Sequence, residues 1–161
     1  MHYHSRKLAI LCLSAGIDWA GVAYAEPCSR PDLPPERRIA SCTALIQSDE
    51  LDNENLAHAY NNRGTAYQSG GELDKAISDF SEAIRLEPKD ALAFNNRGIA
   101  YDKKGDFALA IADFSTALKL KPGDDRVLKS RGWAHFWHGD YDSAINDWGA
   151  AISIEWKHAF G

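Results

Sequence analysis

Residues 61–88 read NNRGTAYQSGGELDKAISDFSEAIRLEP, and residues 95–122 read NNRGIAYDKKGDFALAIADFSTALKLKP. Displaced by 34 positions, the two strings fall into register, and the register runs on into a third copy. Gly64, Gly98 and Gly132 share the spacing, as do Ala76, Ala110 and Ala144, then Phe80, Phe114 and Trp148, then Ala83, Ala117 and Ala151. A period of this length marks stacked supersecondary units. Each unit reads as two helices. The first surrounds the repeated glycine and ends at Gly71, Gly105 or Gly139, where a left-handed residue just past the helix is expected. Asp106 and Asp140 are placed to N-cap the second helix, with Glu72 at the equivalent position. Pro88 and Pro122 stop that helix; Trp156 stands at this place in the third unit, leaving its last helix free to continue. The repeated Gly and Ala let the paired helices approach closely, while Tyr67, Tyr101, Phe80, Phe114 and Trp148 fill the space between units. The units span 57–90, 91–124 and 125–158 of a domain covering 54–161.

Working outward, residues 1–25 differ in kind. Arg6 and Lys7 precede a largely apolar run from Leu8 to Ile17, and Ala23-Tyr24-Ala25 presents small residues before Glu26 and Pro27. That order predicts a secretory signal peptide cleaved after Ala25, and hence a periplasmic or secreted protein. The apolar run is too short to span a membrane. Cleavage would remove Cys12 and leave Cys28 and Cys42, an even pair suited to an oxidising compartment. A Cys28–Cys42 disulfide would close a loop of about 15 residues, worth roughly 3 kcal/mol in the chain-entropy model. The alternative is two unpaired thiols. Residues 26–53 then form a proline-containing arm, one extra helix from Pro35 through about Gln47, and a polar connection.

The repeats resemble the tetratricopeptide repeat family. Gly64, Tyr67, Ala76, Phe80, Ala83 and Pro88 match its pattern, and so do Gly98, Tyr101, Ala110, Phe114, Ala117 and Pro122. The third unit departs with His135, Trp148 and Trp156. The arm and its cysteines resemble small exported bacterial members. The resemblance implies an all-α fold: a right-handed solenoid of three helix-turn-helix units preceded by one helix. It also implies a concave groove lined by the first helix of each unit. That nominates His58, Asn61, Asn62 and Thr65, then Leu92, Asn95, Asn96 and Ile99, then Arg126, Lys129, Ser130 and Trp133. Asn62 and Asn96 hold equivalent places, and a side-chain amide both donates and accepts, so it can hold a peptide backbone without reading its sequence. They are equally readable as solvated polar positions.

Members that bind chaperone tails use a five-residue carboxylate clamp. The corresponding positions here are Asn61, Thr65, Asn96, Arg126 and Ser130, of which only Asn96 is identical and Arg126 a like-charge substitute. One cation does not replace three, so such tails are not the expected ligand. Trp133, Phe136, Trp137, Tyr141, Trp148, Trp156 and Phe160 crowd the third unit. Trp133 and Trp137 lie one turn apart on a face expected to border the groove. Repeat arrays normally finish with a polar capping helix. None follows the third unit here, so part of its apolar surface is expected to be open to a partner or a second copy.

Other classes find little support. A net charge of -5 argues against a nucleic-acid or anionic-membrane binder. There is no glycine-rich phosphate loop or nucleophile elbow. Carboxylates such as Asp79, Glu82 and Asp113 read as solvent-facing. His135 and His138 with Asp140 form a weak metal candidate, but His135 replaces a core aromatic and is expected to point inward and hydrogen-bond. The sequence therefore predicts a non-catalytic module without cofactor or metal that holds an extended protein segment through Asn61, Asn62, Thr65, Asn95, Asn96, Ile99, Arg126, Lys129, Trp133 and Trp137. The alternative is a structural protein that self-associates into a homodimer through its third unit.

Overall fold

A computed structural model describes residues 28–48 and 50–160. The signal segment expected over 1–25 lies outside the described residues. Seven helices follow in order: α1 Pro35–Ile46, α2 Asn53–Ser69, α3 Leu73–Leu86, α4 Ala91–Lys104, α5 Phe107–Leu120, α6 Asp125–His138 and α7 Tyr141–Phe160. The pairs α2/α3, α4/α5 and α6/α7 are the three units, stacked in chain order, and α1 packs on α2. Among the described residues no helix is long and apolar enough to cross a membrane.

Local chemistry sets the ends. Pro35 opens α1, where a missing N–H is harmless. Asp52, Asp90 and Asp124 cap α2, α4 and α6 through their carboxylates. At the second helices Asp140 accepts from the Ser143 N–H, but Asp106 and Glu72 make no capping bond. Gly105 and Gly139 take φ of 86° and 90°, and the next residue's N–H returns to the carbonyl of Tyr101 or His135 at 2.9 Å. This closure satisfies a carbonyl that would otherwise be orphaned at the helix end. With tryptophan in place of the terminating proline, α7 runs for 20 residues, where α3 and α5 have 14.

The repeated small residues sit where helices touch. A Cβ added to Gly98 would lie 2.8 Å from the Phe114 ring, so only glycine admits that ring. Phe80 reaches across to Ala100 of the second unit, and Phe114 to Ala134 of the third, so each phenylalanine belongs to two units at once.

A second ladder runs beside this apolar one. Arg63 grips Asp79 through two bonds of 2.7 and 2.8 Å; Arg97 grips Asp113 at 2.8 and 2.9 Å; Arg131 grips Asp147 at 2.8 and 2.6 Å. The three aspartates are buried. The reading of Asp79 and Asp113 as solvent-facing is thereby corrected: each is drawn inward to neutralise an arginine that joins the helices of its unit. Each guanidinium also donates backwards, Arg97 to Ser81 Oγ at 3.0 Å and Arg131 to Ser115 Oγ at 3.1 Å, so the ladder couples successive units. The hydrogen bonds that Arg63 donates to Asp79, and Arg97 to Asp113, are the main cause that raises the pKa of each guanidinium.

The same device identifies α1. Arg63 donates to Thr43 Oγ1 at 3.1 Å, so Thr43 plays the part of Ser81. That alignment puts Ile39 at the place of Ile77, Cys42 at that of Phe80 and Ile46 at that of Ile84. Helix α1 is thus the second helix of a reduced leading unit. Where the later units seat a phenylalanine, it carries Cys42, bonded to Cys28 with Cα atoms 4.8 Å apart and both residues fully buried against Ala59, Leu45, Ile46 and Leu51.

One carboxylate is poorly served. Asp102 lies in the last turn of α4, where the helix dipole disfavours an anion, and its buried Oδ1 has no hydrogen bond. Desolvation pushes its pKa up. A raised native pKa means the charged form costs stability at neutral pH, a cost that disappears as pH falls through the native value. Asp102→Asn is therefore expected to raise Tm by about 1–3 °C at pH 7. The gain should vanish in acid, as scanning calorimetry at the two pH values would show.

Candidate peptide groove and the end face

The first helices of the second and third units, α4 and α6, together with the end of α5, line an open pocket of about 450 Å³. Ala91, Leu92, Asn95, Asn96 and Ile99 line one wall, Arg126, Val127 and Ser130 the other, with Ala117, Lys121 and Asp124 as the floor. Helical spacing on α4 brings Leu92, Asn95, Asn96 and Ile99 to one face, which alternates apolar contact with amides. Such a lining suits an extended chain, whose side chains and backbone present both characters.

The polar groups are partly committed. Asn96 Nδ2 donates to Asn61 Oδ1 at 3.0 Å, linking the first helices of successive units. Asn61 is buried by that contact, so it positions Asn96 and is not itself presented to a ligand. Thr65 donates its hydroxyl to the Asn61 carbonyl at 2.9 Å within α2. The Asn62 carbonyl accepts from Arg38. At the floor, burial works against the charge on Asp124. Hydrogen bonds from the Arg126 guanidinium and from the N–H groups of Val127 and Arg126 outweigh it and hold the carboxyl below the ordinary value. The Arg126 side chain is nonetheless 84% exposed, so its remaining donors are open to solvent.

The other predicted groove residues lie elsewhere. Lys129 pairs with Asp125 at 3.2 Å and with Glu155 of α7, which turns it away from the pocket. Trp133 and Trp137 do not line the pocket. Trp133 stands edge-on to Trp148, with centroids 5.0 Å apart, and to Phe136, which in turn meets Trp137 and Tyr141. They belong to an aromatic cluster of the third unit. His135 points inward as expected, with Nδ1 3.4 Å from Asp140 and Nε2 4.0 Å from Asp147, but its buried Nδ1 makes no hydrogen bond. Among the described residues no group of His, Cys, Asp and Glu is arranged to hold a metal ion.

Sequence reasoning missed the Arg–Asp ladder and Lys121. The ladder had a signal: Arg63, Arg97 and Arg131, and Asp79, Asp113 and Asp147, share the 34-residue register. Lys121 had none, because it follows the last turn of a second helix and reaches the groove only through the way units stack.

Comparison with known proteins agrees with this geometry. A tetratricopeptide repeat family model matches residues 61–125 and 98–156, together more than half of the chain. No curated protein matches. Among solved structures, the crystal structure of MamA shares 30% identity with a TM-score of 0.70, covering 78% of this chain and 71% of that one. The TPR2B domain of yeast Sti1 in complex with an Hsp70 peptide shares 27% identity with a TM-score of 0.60, covering 62% and 79%. The second repeat domain of RPAP3 bound to an HSP90 peptide, at 24% identity and a TM-score of 0.62, covers 63% of this chain and 94% of that one and speaks to the fold alone.

Proposed function

Because the chain belongs to the tetratricopeptide repeat family, we propose that it is a non-catalytic module that holds an extended segment of a partner protein between α4 and α6. The observation that carries this reading is the pocket of about 450 Å³ in which Leu92, Ile99 and Val127 alternate with Asn95, Asn96, Lys121, Arg126 and Ser130. An apolar side chain rests on Leu92 and Ile99. The unbonded amide atoms of Asn95 and Asn96 meet peptide N–H and C=O groups, and an acidic side chain meets Arg126 and Lys121. Peptide binding by the yeast Sti1 domain supports polypeptide as the ligand class. Its chaperone peptide is not carried over, since only Asn96 and Arg126 retain the character of the clamp.

The setting we propose is an envelope or secreted assembly. The residue order over 1–25 supports export, and so does the fully buried Cys28–Cys42 bridge, which needs an oxidising compartment to form.

Photo-crosslinking in the native compartment tests the groove. A crosslinker at Leu92, an exposed residue of the pocket wall, should capture a partner; one at Leu109, equally exposed on α5, should not. The pair Asn96→Ala and Arg126→Glu should reduce capture from Leu92 by about tenfold or more. Equal capture from both positions, or capture indifferent to the pair, would overturn the groove reading.

A further inference from the structure

We propose that the end face of the third unit is a self-complementary interface, on which α7 of one molecule crosses α7 of a second copy antiparallel, close to Gly149. Five positions define the surface: Tyr141, Ile145, Gly149, Ile152 and Trp156. At 100° per residue they fall within an arc of about 80°, a single helix face. The four side chains are 59–65% exposed. Their counterparts show what such a face does. In the first two units Ile77, Ile84, Ile111 and Leu118 occupy the places of Ile145 and Ile152 and are packed against the unit cores. The third unit presents the same aliphatic stripe to solvent.

Gly149 decides between occupants. Its counterparts are Ser81 and Ser115, whose hydroxyls receive the arginine of the following unit and tie one unit to the next. The third unit has no hydroxyl there, so a further unit of the same kind would meet an arginine acceptor site with nothing in it. What glycine provides is room: a Cβ at Gly149 would have no neighbour within 4 Å. A helix face with a glycine amid isoleucines lets a second helix approach closely, since the interaxial distance follows the side chains at the crossing.

The pattern also names the second helix. Read from either end of α7, the stripe runs aromatic, isoleucine, isoleucine, aromatic, and Gly149 is next to its midpoint. A stripe symmetric about its own centre is what a two-fold interface requires: Ile145 meets Ile152 of the copy, and Tyr141 meets Trp156. The antiparallel arrangement also places Asp142, in the first turn, on the same flank as Lys157 in the last turn of the copy. A parallel arrangement would set like charges together and align the helix dipoles unfavourably.

Sedimentation of the whole chain over a wide concentration series should show a monomer–dimer equilibrium. Ile145→Glu and Ile152→Glu should each weaken it about 30-fold or more. Both sites are exposed, so the circular dichroism of the monomer should not change. In a Cys12→Ser background, Gly149→Cys should crosslink to itself on mild oxidation. Ile145→Cys alone should not, whereas a mixture of Ile145→Cys and Ile152→Cys chains should. A monomer throughout, a dimer indifferent to both glutamates, or self-crosslinking through Ile145→Cys would each overturn the proposal. The groove pair Asn96→Ala and Arg126→Glu should leave the dimer intact, so this result stands or falls apart from the peptide-binding reading.

Discussion

Replacing Arg97 with alanine is expected to destabilise the fold by about 3 kcal/mol. The reason is what it leaves behind. Asp113 is 8% exposed and accepts both of its strong bonds from Arg97; without them it is a buried anion with no cation near enough to compensate. Ser81 Oγ keeps its bond to the Ile77 carbonyl but loses the one it accepts from Arg97, which loosens the first unit from the second. The reverse substitution, Asp113→Ala, should cost less, about 2 kcal/mol, because the freed guanidinium is 20% exposed and can turn toward water. Replacing both together with Met and Leu should cost less than either alone, since neither charge is then stranded. Urea denaturation followed by circular dichroism supplies all three values. Additive losses in the double variant would show that the pair is a surface ornament and not a buried joint.

Removal of the Cys28–Cys42 bridge should cost about 3 kcal/mol, the value for a loop of this size. Its effect should be uneven along the chain. In a stacked array each unit is stabilised by its neighbours, so damage at one end spreads weakly. Helix α1 replaces the phenylalanine of the later units with Cys42, and its core is small: Cys28, Leu45, Ile46, Leu51 and Ala59. In Cys28→Ser with Cys42→Ser, α1 and the start of α2 should lose hydrogen-exchange protection while α4 to α6 keep most of theirs. Uniform loss across all seven helices would mean that the leading helix supports the whole stack.

The glycines, alanines and prolines were legible because they answer to local geometry. A left-handed helix end requires Gly105 or Gly139 whatever surrounds it, and a ring facing a backbone requires Gly98. The groove was legible in outline. The family pattern brought Asn95, Asn96, Ile99 and Arg126 to one cleft, while Trp133 and Lys129 are engaged by Trp148 and Glu155 of α7, and Trp137 by Phe136, outside that pocket. Charge was the least legible quantity. Asp79 and Glu82 look alike in a string of letters, yet one is buried against Arg63 and the other half-exposed beside Arg85.

The 34-residue register by itself determined the repeat, the helix boundaries and the stacking of three units, because periodic small and aromatic residues have one economical way to pack. The register also carried the Arg–Asp ladder, but only as letters. That the ladder joins units and that α1 is a reduced unit closed by sulfur were decided by tertiary structure. Each depends on which atoms from distant segments share a desolvated space, and that distance is not written in the order of residues.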